Sequence, residues 1–147
     1  MDADLSDRIG QADERFVPGT ADGELMEVEH FARYRWASQL VAGRRVLDAG
    51  CGVGYGSALL ADAGAAEVVG LDLSAKAVHA AAQGVPANAT FVTGDVHTLA
   101  FEDERFDVVV CFEVIEHVEA QDEVIAELAR VLAADGVLVV SSPNRDV

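Results

Sequence analysis

Residues 45–56 read Arg45-Val46-Leu47-Asp48-Ala49-Gly50-Cys51-Gly52-Val53-Gly54-Tyr55-Gly56, a short apolar run that passes directly into four glycines at alternate positions. The apolar run is typical of a strand that is buried on both faces of a parallel sheet. Because glycine has no Cβ, the four glycines allow the backbone to turn sharply and to approach a ligand closely. The stretch therefore predicts a ligand-binding turn at the carboxyl end of the first strand.

The chain after Arg45 alternates short Val-rich runs with helical patterns, which indicates a parallel sheet covered by helices. The predicted strands cover residues 46–49, 67–71, 90–93, 106–112 and 136–141. The predicted helices cover 24–41, 55–63, 74–83 with Ser74 as N-cap, and about 120–132, whereas 95–105 is too short and mixed for a full helix. The fold class is α/β, with binding residues at the carboxyl ends of the strands.

The glycine spacing distinguishes between ligands. A dinucleotide fingerprint, G-x-G-x-x-G/A, requires Gly or Ala at position 55 if it begins at Gly50, or at position 57 if it begins at Gly52. Those positions hold Tyr55 and Ser57, so the fingerprint fails. Asp48, at the entrance of the turn, also faces a pyrophosphate poorly and suits a cationic ligand.

The glycine stretch, residues 46–54, resembles motif I of the class I S-adenosylmethionine-dependent methyltransferases. Four further segments follow in the order shown by that family: residues 70–74, 93–96, 106–117 and 129–140. The ordered set is far more specific than any one segment. A softer resemblance, at residues 14–19 and 30–34, is to a bacterial branch that acts on sugars or other small metabolites. The resemblance implies a three-layer Rossmann-like methyltransferase core with a mainly parallel sheet.

The resemblance implies S-adenosylmethionine as cofactor and S-adenosylhomocysteine as product. It places the methionine part of the cofactor over the glycine turn, where backbone N–H groups at a helix start favour its carboxylate. Asp48 is then expected near the sulfonium or ammonium, and carbonyls near Phe112 near the ammonium. The residues assigned to the turn are Gly50, Cys51, Gly52, Gly54 and Tyr55.

The nucleoside part is assigned to the ends of the second and third strands. Asp72 offers two acceptor oxygens to the ribose hydroxyls, and Leu73 covers one face of the adenine. Asp95 accepts from the exocyclic amine of adenine, while the backbone N–H of Val96 donates to the ring. The alternatives are a helix-start role for Asp72 and an Asx turn at Asp95.

Methyl transfer requires mainly alignment and desolvation of the acceptor, so a general base is optional. For a hydroxyl acceptor, His117 is the candidate base. Glu113, Glu116 and His117 have i, i+3, i+4 spacing, which brings them to one face of a helix. Some related phenol methyltransferases are thought to bind a divalent metal with such a cluster. The favoured alternative is that Glu113 and Glu116 lie near a helix start and that His117 interacts with a neighbouring side chain. No metal site is assigned.

The composition limits the class of partner. Ten Lys and Arg against 26 Asp and Glu give a net charge of −16, which provides no basic surface for a nucleic acid. No apolar run approaches the length of a membrane span, and two cysteines indicate no disulfide framework. These features predict a cytoplasmic protein with a small-molecule acceptor, neither nucleic acid nor membrane being a partner, and with Cys51 and Cys111 as buried apolar residues.

The predicted organisation is an N-terminal arm, residues 1–23, and a cofactor-binding core, residues 24–147. A complete class I fold continues past the fifth strand into antiparallel strands that this sequence lacks. We expect a fragment of a longer enzyme, or a fifth-strand edge covered by a second copy. The predicted reaction is methyl transfer to an oxygen of a small molecule or sugar. Alternatives are a cofactor-binding module that works through a partner and a nicotinamide-dependent reductase.

Overall fold

The structure, a computed structural model, describes residues 24–144. The predicted arm, residues 1–23, and the last three residues of the predicted core lie outside the described residues. The elements in chain order are α1 (Glu24–Ala37), a 3-10 turn (Ser38–Leu40), β1 (Arg45–Ala49), α2 (Tyr55–Asp62), β2 (Glu67–Asp72), α3 (Ala75–Ala81), β3 (Ala89–Thr93), β4 (Phe106–Phe112), a second 3-10 turn (Ile115–His117), α4 (Gln121–Arg130) and β5 (Leu132–Ser141).

The five strands form one sheet in the order β3-β2-β1-β4-β5, and every described pair is parallel. β1 lies between β2 and β4, so the chain reverses its direction of travel across the sheet at this strand. In open α/β sheets, ligands bind outside the carboxyl ends of the strands at such a switch point. The topology therefore directs attention to the glycine turn that follows β1.

Helices cover both faces of the sheet, because its strands carry apolar side chains on both faces. One core cluster joins α1 and α2 to the sheet around Val46, Val108 and Leu60. The other joins α4 to the opposite face around Leu47, Val109 and Leu128. α3 packs on β2 and β3, and the Ser74 hydroxyl caps it by accepting from the N–H of Ala77 at 3.2 Å. The predicted α/β fold and the Ser74 cap are confirmed.

The boundary between α4 and β5 was predicted wrongly. The apolar stripe favoured a helix as far as Leu132, but α4 ends at Arg130 and Leu132 begins β5. Leu132 pairs with Phe106, and the register then shifts so that Val137 pairs with Val108. A Cβ at Gly136 would lie 2.8 Å from the carbonyl oxygen of Asp107, so the irregular segment requires glycine at this close approach. The strand pairing, which sequence periodicity does not show, ends the helix early.

β5 forms one edge of the described sheet. The predicted pairing of this strand with a second copy stays a prediction. Among residues 24–144, no helix is long and apolar enough to cross a membrane.

Candidate cofactor site

The glycine turn is held to the neighbouring strand by its own backbone. The N–H groups of Gly50 and Cys51 both donate to the carbonyl of Leu71, at 2.7 and 2.9 Å. Gly52 has a φ of +55°, and a Cβ added to it would meet nothing within 4 Å. The turn is thus closed on its sheet side and open at Gly52, which is the geometry needed for close approach by a ligand.

Gly50 and Gly54 are required for a different reason. Both have positive φ, and a Cβ at Gly50 would lie 2.3 Å from the Val114 side chain. A Cβ at Gly54, the residue preceding α2, would lie 2.7 Å from that of Ala81. These two glycines therefore shape the turn through packing within the chain, and Gly52 is the one that faces open space.

Asp72 lies beside Gly52 at the end of β2. Its Oδ2 accepts from the N–H of Gly52 at 2.9 Å, and its Oδ1 accepts from the N–H of Ser74 at 3.0 Å. The helix-start role considered for Asp72 is therefore real. Each carboxylate oxygen can accept more than one hydrogen bond, so these contacts are compatible with ribose binding by the same group. Leu73, the next residue, is 69% exposed, as a residue that covers an adenine face must be.

Asp48 lies under the turn rather than at its open face. The residue is fully buried, and its carboxylate accepts hydrogen bonds from the hydroxyl of Tyr34 at 3.0 Å and of Ser57 at 2.6 Å. Burial raises the pKa of Asp48 to about 6, against the opposing effect of both hydroxyls. The predicted place of Asp48 near the cationic end of the cofactor stays a prediction, and since the residue has no exposed surface its charge would act through the turn above it.

Tyr34 joins α1 to this buried group. Its ring makes edge-on contacts with Tyr55 and Phe112, with centroids 5.6 and 5.0 Å apart. Tyr55 also packs edge-on against Phe31 of α1, at 5.0 Å. Tyr55 and the buried Phe112 thus support the turn from below, by packing between α1 and the sheet.

Gly56→Ala is expected to lower the free energy of unfolding by about 2 kcal/mol, although alanine is the better helix former. The added Cβ would lie 2.2 Å from Cζ of Tyr34, whose ring is flanked by other rings and tethered to Asp48. Urea denaturation measures the effect. In a Tyr34→Leu background the methyl group has room, so the same change is expected to cost less than about 0.5 kcal/mol. An equal cost in both backgrounds contradicts this contact.

The segment after β3 contains the predicted adenine residues. Val96 is buried in the core cluster under α4, whereas the Asp95 side chain is about half exposed. Asp95 Oδ1 accepts from the backbone N–H of His97 at 2.9 Å, so the Asx turn considered for this residue is present. His97, which the sequence analysis did not single out, also contacts the same oxygen through its ring, Nδ1 to Oδ1 at 2.7 Å. These contacts lower the pKa of Asp95.

The carboxyl end of β4 runs into a strained residue. Glu113 has a φ of +57°, in the left-handed region that favours glycine. Its N–H donates to the carbonyl of Ser141 at 3.0 Å, and its carboxylate pairs with Arg33 of α1 at 2.9 Å. Such strain persists only where surrounding contacts hold it, and it clusters at functional sites. The backbone near Phe112 and Glu113, predicted to face the ammonium, is thus fixed by β5 and α1.

The predicted helical face of Glu113, Glu116 and His117 does not form. A single 3-10 turn spans Ile115–His117, and Glu113 lies outside it. The side chain of Glu116 is 9% exposed, its Oε2 is buried without a hydrogen-bond partner, and burial followed by the nearby Glu113 raises its pKa. His117 is half exposed, with Nε2 3.5 Å from Glu116 Oε1. Within residues 24–144, no group of three His, Cys, Asp or Glu side chains is arranged to hold a metal.

Both cysteines are buried, as predicted. Burial raises the pKa of the Cys111 thiol to about 12, which leaves it protonated and unreactive at neutral pH.

Three residues that the sequence analysis did not identify contact predicted site residues. Arg33, Ser57 and His97 each hold a predicted site residue, at Glu113, Asp48 and Asp95 respectively. Only His97 had a local signal, because Asp-x-His places a side-chain donor two residues after a turn-forming aspartate. The contacts of Arg33 and Ser57 form only when the helices pack on the sheet, so the local sequence does not indicate them.

The residues present fit the predicted cofactor. The open position at Gly52, the acceptor carboxylate of Asp72 and the exposed Leu73 adjoin one another at the switch point of the sheet. A carboxylate at the end of β2, beside an apolar side chain, suits a ribose joined to an adenine. The site therefore fits the nucleoside part of the predicted cofactor.

Comparison with known proteins agrees with this geometry. The family described as "Methyltransferase domain" matches residues 47–140. A Mycolicibacterium smegmatis protein named as a probable S-adenosylmethionine-dependent methyltransferase is 40% identical over 132 residues, which are 90% of this chain and 51% of that protein. The Sinorhizobium medicae ubiquinone biosynthesis O-methyltransferase is 38% identical over 122 residues, covering 80% of this chain and 48% of the relative.

A solved structure from Mesorhizobium loti, an S-adenosylmethionine-dependent methyltransferase, superposes with a TM-score of 0.70 at 27% identity, covering 77% of this chain and 53% of that one. The chain belongs to the methyltransferase domain family, and the cofactor which that family and these relatives imply is S-adenosylmethionine. The chain spans about half the length of the curated relatives it matches.

Proposed function

We propose that this chain forms the cofactor-binding part of an S-adenosylmethionine-dependent methyltransferase that methylates an oxygen of a small molecule or sugar. The observation that carries the proposal is the opening at Gly52, bordered by Asp72 and Leu73, at the switch point of a methyltransferase sheet. The net charge of −16 disfavours a nucleic acid as the acceptor, because binding one requires a basic surface.

When bound, S-adenosylmethionine supplies an electrophilic methyl group. The residues of this chain bind and orient: the turn and Asp72 hold the nucleoside and tail, and the packed rings of Tyr55 and Tyr34 support the turn from the α1 side. Orientation of the reacting groups is the main requirement of such a displacement.

His117 is the candidate group for the acceptor proton. Its ring is half exposed and follows β4 by five residues, at the same end of the sheet as the glycine turn. An acceptor hydroxyl that forms a new O–CH₃ bond must lose its proton, and an imidazole is suited to take it at neutral pH. The O-methyltransferase name of the 38% identical relative favours oxygen over nitrogen or carbon.

Calorimetric titration of the purified chain tests the cofactor part. We expect micromolar binding of S-adenosylmethionine and S-adenosylhomocysteine and no binding of NAD, because the dinucleotide spacing fails. Binding of NAD alone contradicts the proposal. The acceptor class is tested with methyl-labelled S-adenosylmethionine and separate panels of phenols, sugars and amines, where labelled ether must exceed labelled amine.

A partner-dependent module is the second candidate, and the position of β5 at an edge of the described sheet favours it. The same edge is the surface for the predicted pairing with a second copy. Formation of S-adenosylhomocysteine by the chain alone argues against dependence on a partner. Light scattering over a range of concentrations tests the pairing, and a constant monomer mass contradicts it.

A further inference from the structure

His97 connects the turn after β3 to the segment just before α4. Its Nδ1 lies 2.7 Å from Asp95 Oδ1, in the turn after β3, and its Nε2 lies 2.6 Å from the backbone carbonyl oxygen of Glu119, just before α4. The ring thus spans 22 residues of sequence between the predicted adenine side and the start of α4.

The two partners of the ring are both acceptors. A backbone carbonyl has no proton to donate, and an ionised carboxylate has none either. A neutral imidazole carries one N–H, so one of its nitrogens would turn a lone pair toward an oxygen at less than 3 Å. Only the imidazolium donates at both nitrogens, and it satisfies both contacts at once.

The charges around the ring are consistent with a cation. Asp95 faces it from the turn after β3 and Glu123 from α4, while Glu119 contributes its carbonyl. The backbone contact with Glu119, followed by the Asp95 hydrogen bond, raises the pKa of His97. No cation is among the groups that act on it within the described residues.

We propose that His97 is a doubly protonated positioning residue that fixes the carboxylate of Asp95 for the exocyclic amine of the cofactor's adenine. This inference rests on the proposed cofactor function. Both contacts of His97 with Asp95 use Oδ1, through the backbone N–H and through the ring, so the carboxylate is held in one orientation. Cofactor affinity is therefore highest when His97 is protonated, and it falls as the pH rises through the pKa of this ring.

A second set of contacts also holds the segment after β3 to α4. Its charged groups, Glu127 and Arg130, keep their charge near neutral pH, because the pKa of Glu127 is lowered and that of Arg130 is raised. Glu127 accepts from the N–H of Leu99 at 2.7 Å, and Arg130 donates to the carbonyl of Leu99 at 2.9 Å. Loss of the His97 proton is therefore expected to loosen Asp95 without unfolding the segment, which makes the effect one on binding.

The first measurement is nitrogen-15 NMR of the imidazole rings in the ligand-free chain. We expect both ring nitrogens of His97 to be protonated at pH 7, because both of its partners are acceptors. His79, an exposed histidine near the end of α3, provides the comparison signal. A His97 ring with one proton at pH 7 overturns the assignment, whatever the chain binds.

The second measurement is calorimetric binding of S-adenosylhomocysteine from pH about 6 to pH about 9. Wild-type affinity is expected to fall about tenfold across this range, as a charge-assisted contact is lost. His97→Gln, which lacks the charge and whose amide donor corresponds to Nε2 rather than to the Nδ1 that faces Asp95, is expected to bind about tenfold more weakly at pH about 6 and to show a flat profile. The control His79→Gln is expected to follow the wild type.

The outcomes separate the two proposals. Binding that does not change with pH in the wild type overturns the positioning role of His97 while leaving the cofactor function intact. No binding at any pH overturns the cofactor function, and the NMR result then decides the charge of His97 by itself.

His97→Asn, whose amide can still donate toward Asp95, is expected to recover part of the affinity lost in His97→Gln. Equal losses of affinity in both variants contradict the contact with Asp95.

Discussion

Asp72→Ala is expected to weaken the binding of S-adenosylhomocysteine by at least about 100-fold while the sheet remains folded. Asp72 is 5% exposed and lies at the end of β2, where its carboxylate already accepts from the N–H groups of Gly52 and Ser74. Its removal takes both acceptor oxygens from the ribose hydroxyls. It also removes the hydrogen bond that holds the backbone N–H of Gly52, the open position of the turn. The variant therefore loses both the ribose contacts and the shape of the turn.

Two variants separate these effects. Asp72→Asn keeps one acceptor oxygen and is expected to lose about tenfold in affinity, because its amide cannot accept from both N–H groups and the ribose. Asp62→Ala removes an exposed carboxylate from the end of α2 and is expected to bind as the wild type does. Calorimetry gives the affinities and circular dichroism the folded state. A loss below about threefold in a folded Asp72→Ala chain contradicts the assigned pose.

The fold was predictable because its signals are local. Val-rich runs such as 106–112 and the glycines after β1 specify buried strands and a turn without reference to distant residues. Even the cap at Ser74 follows from its place between a strand end and a helix. The end of α4 was not predictable in this way, because Leu132 is drawn into β5 by pairing with Phe106, 26 positions earlier in the sequence.

The candidate site likewise contains residues that the local sequence could place and residues whose position depends on distant contacts. Asp72 and Leu73 lie where their strand ends, so the order of elements was enough to place them. The burial of Asp48 under the turn could not be predicted from the local sequence, since its hydroxyl partners come from α1 and α2. The helical spacing of Glu113 and His117 was misleading, because the strained backbone of Glu113 prevents a continuous helix there.

Asp48→Asn is expected to remove a loss of stability that the wild type undergoes as the pH rises from about 4 to about 6. Burial raises the pKa of Asp48 to about 6 from an ordinary value of 3.8. The unfolded chain therefore releases this proton at lower pH than the folded chain does. Below 3.8 both states hold the proton, and above about 6 both have lost it. Between these values the stability due to this group falls, by about 3 kcal/mol in total.

Asparagine retains the shape of the side chain and the acceptor for Ser57 or Tyr34, but it has no charge to bury. The free energy of unfolding of Asp48→Asn, relative to the wild type, is expected to rise by about 3 kcal/mol from pH about 4 to pH about 7. Urea denaturation at a series of pH values measures this difference, in which the other titrating groups cancel.

Asp107→Asn is the matched control for the pH profile, because the Arg45 guanidinium lowers the pKa of Asp107 to about 2. The stability due to Asp107 is present above pH 3.8 and is lost as the pH falls toward about 2, so its removal leaves the stability between pH 4 and 6 unchanged.

The same Asp48 variant also tests whether the buried charge acts through the turn. S-adenosylmethionine carries a sulfonium that S-adenosylhomocysteine lacks, so Asp48→Asn should weaken the first ligand more than the second. Equal weakening of both ligands would show that Asp48 only supports the turn, and a relative stability that does not change with pH would contradict its buried charge.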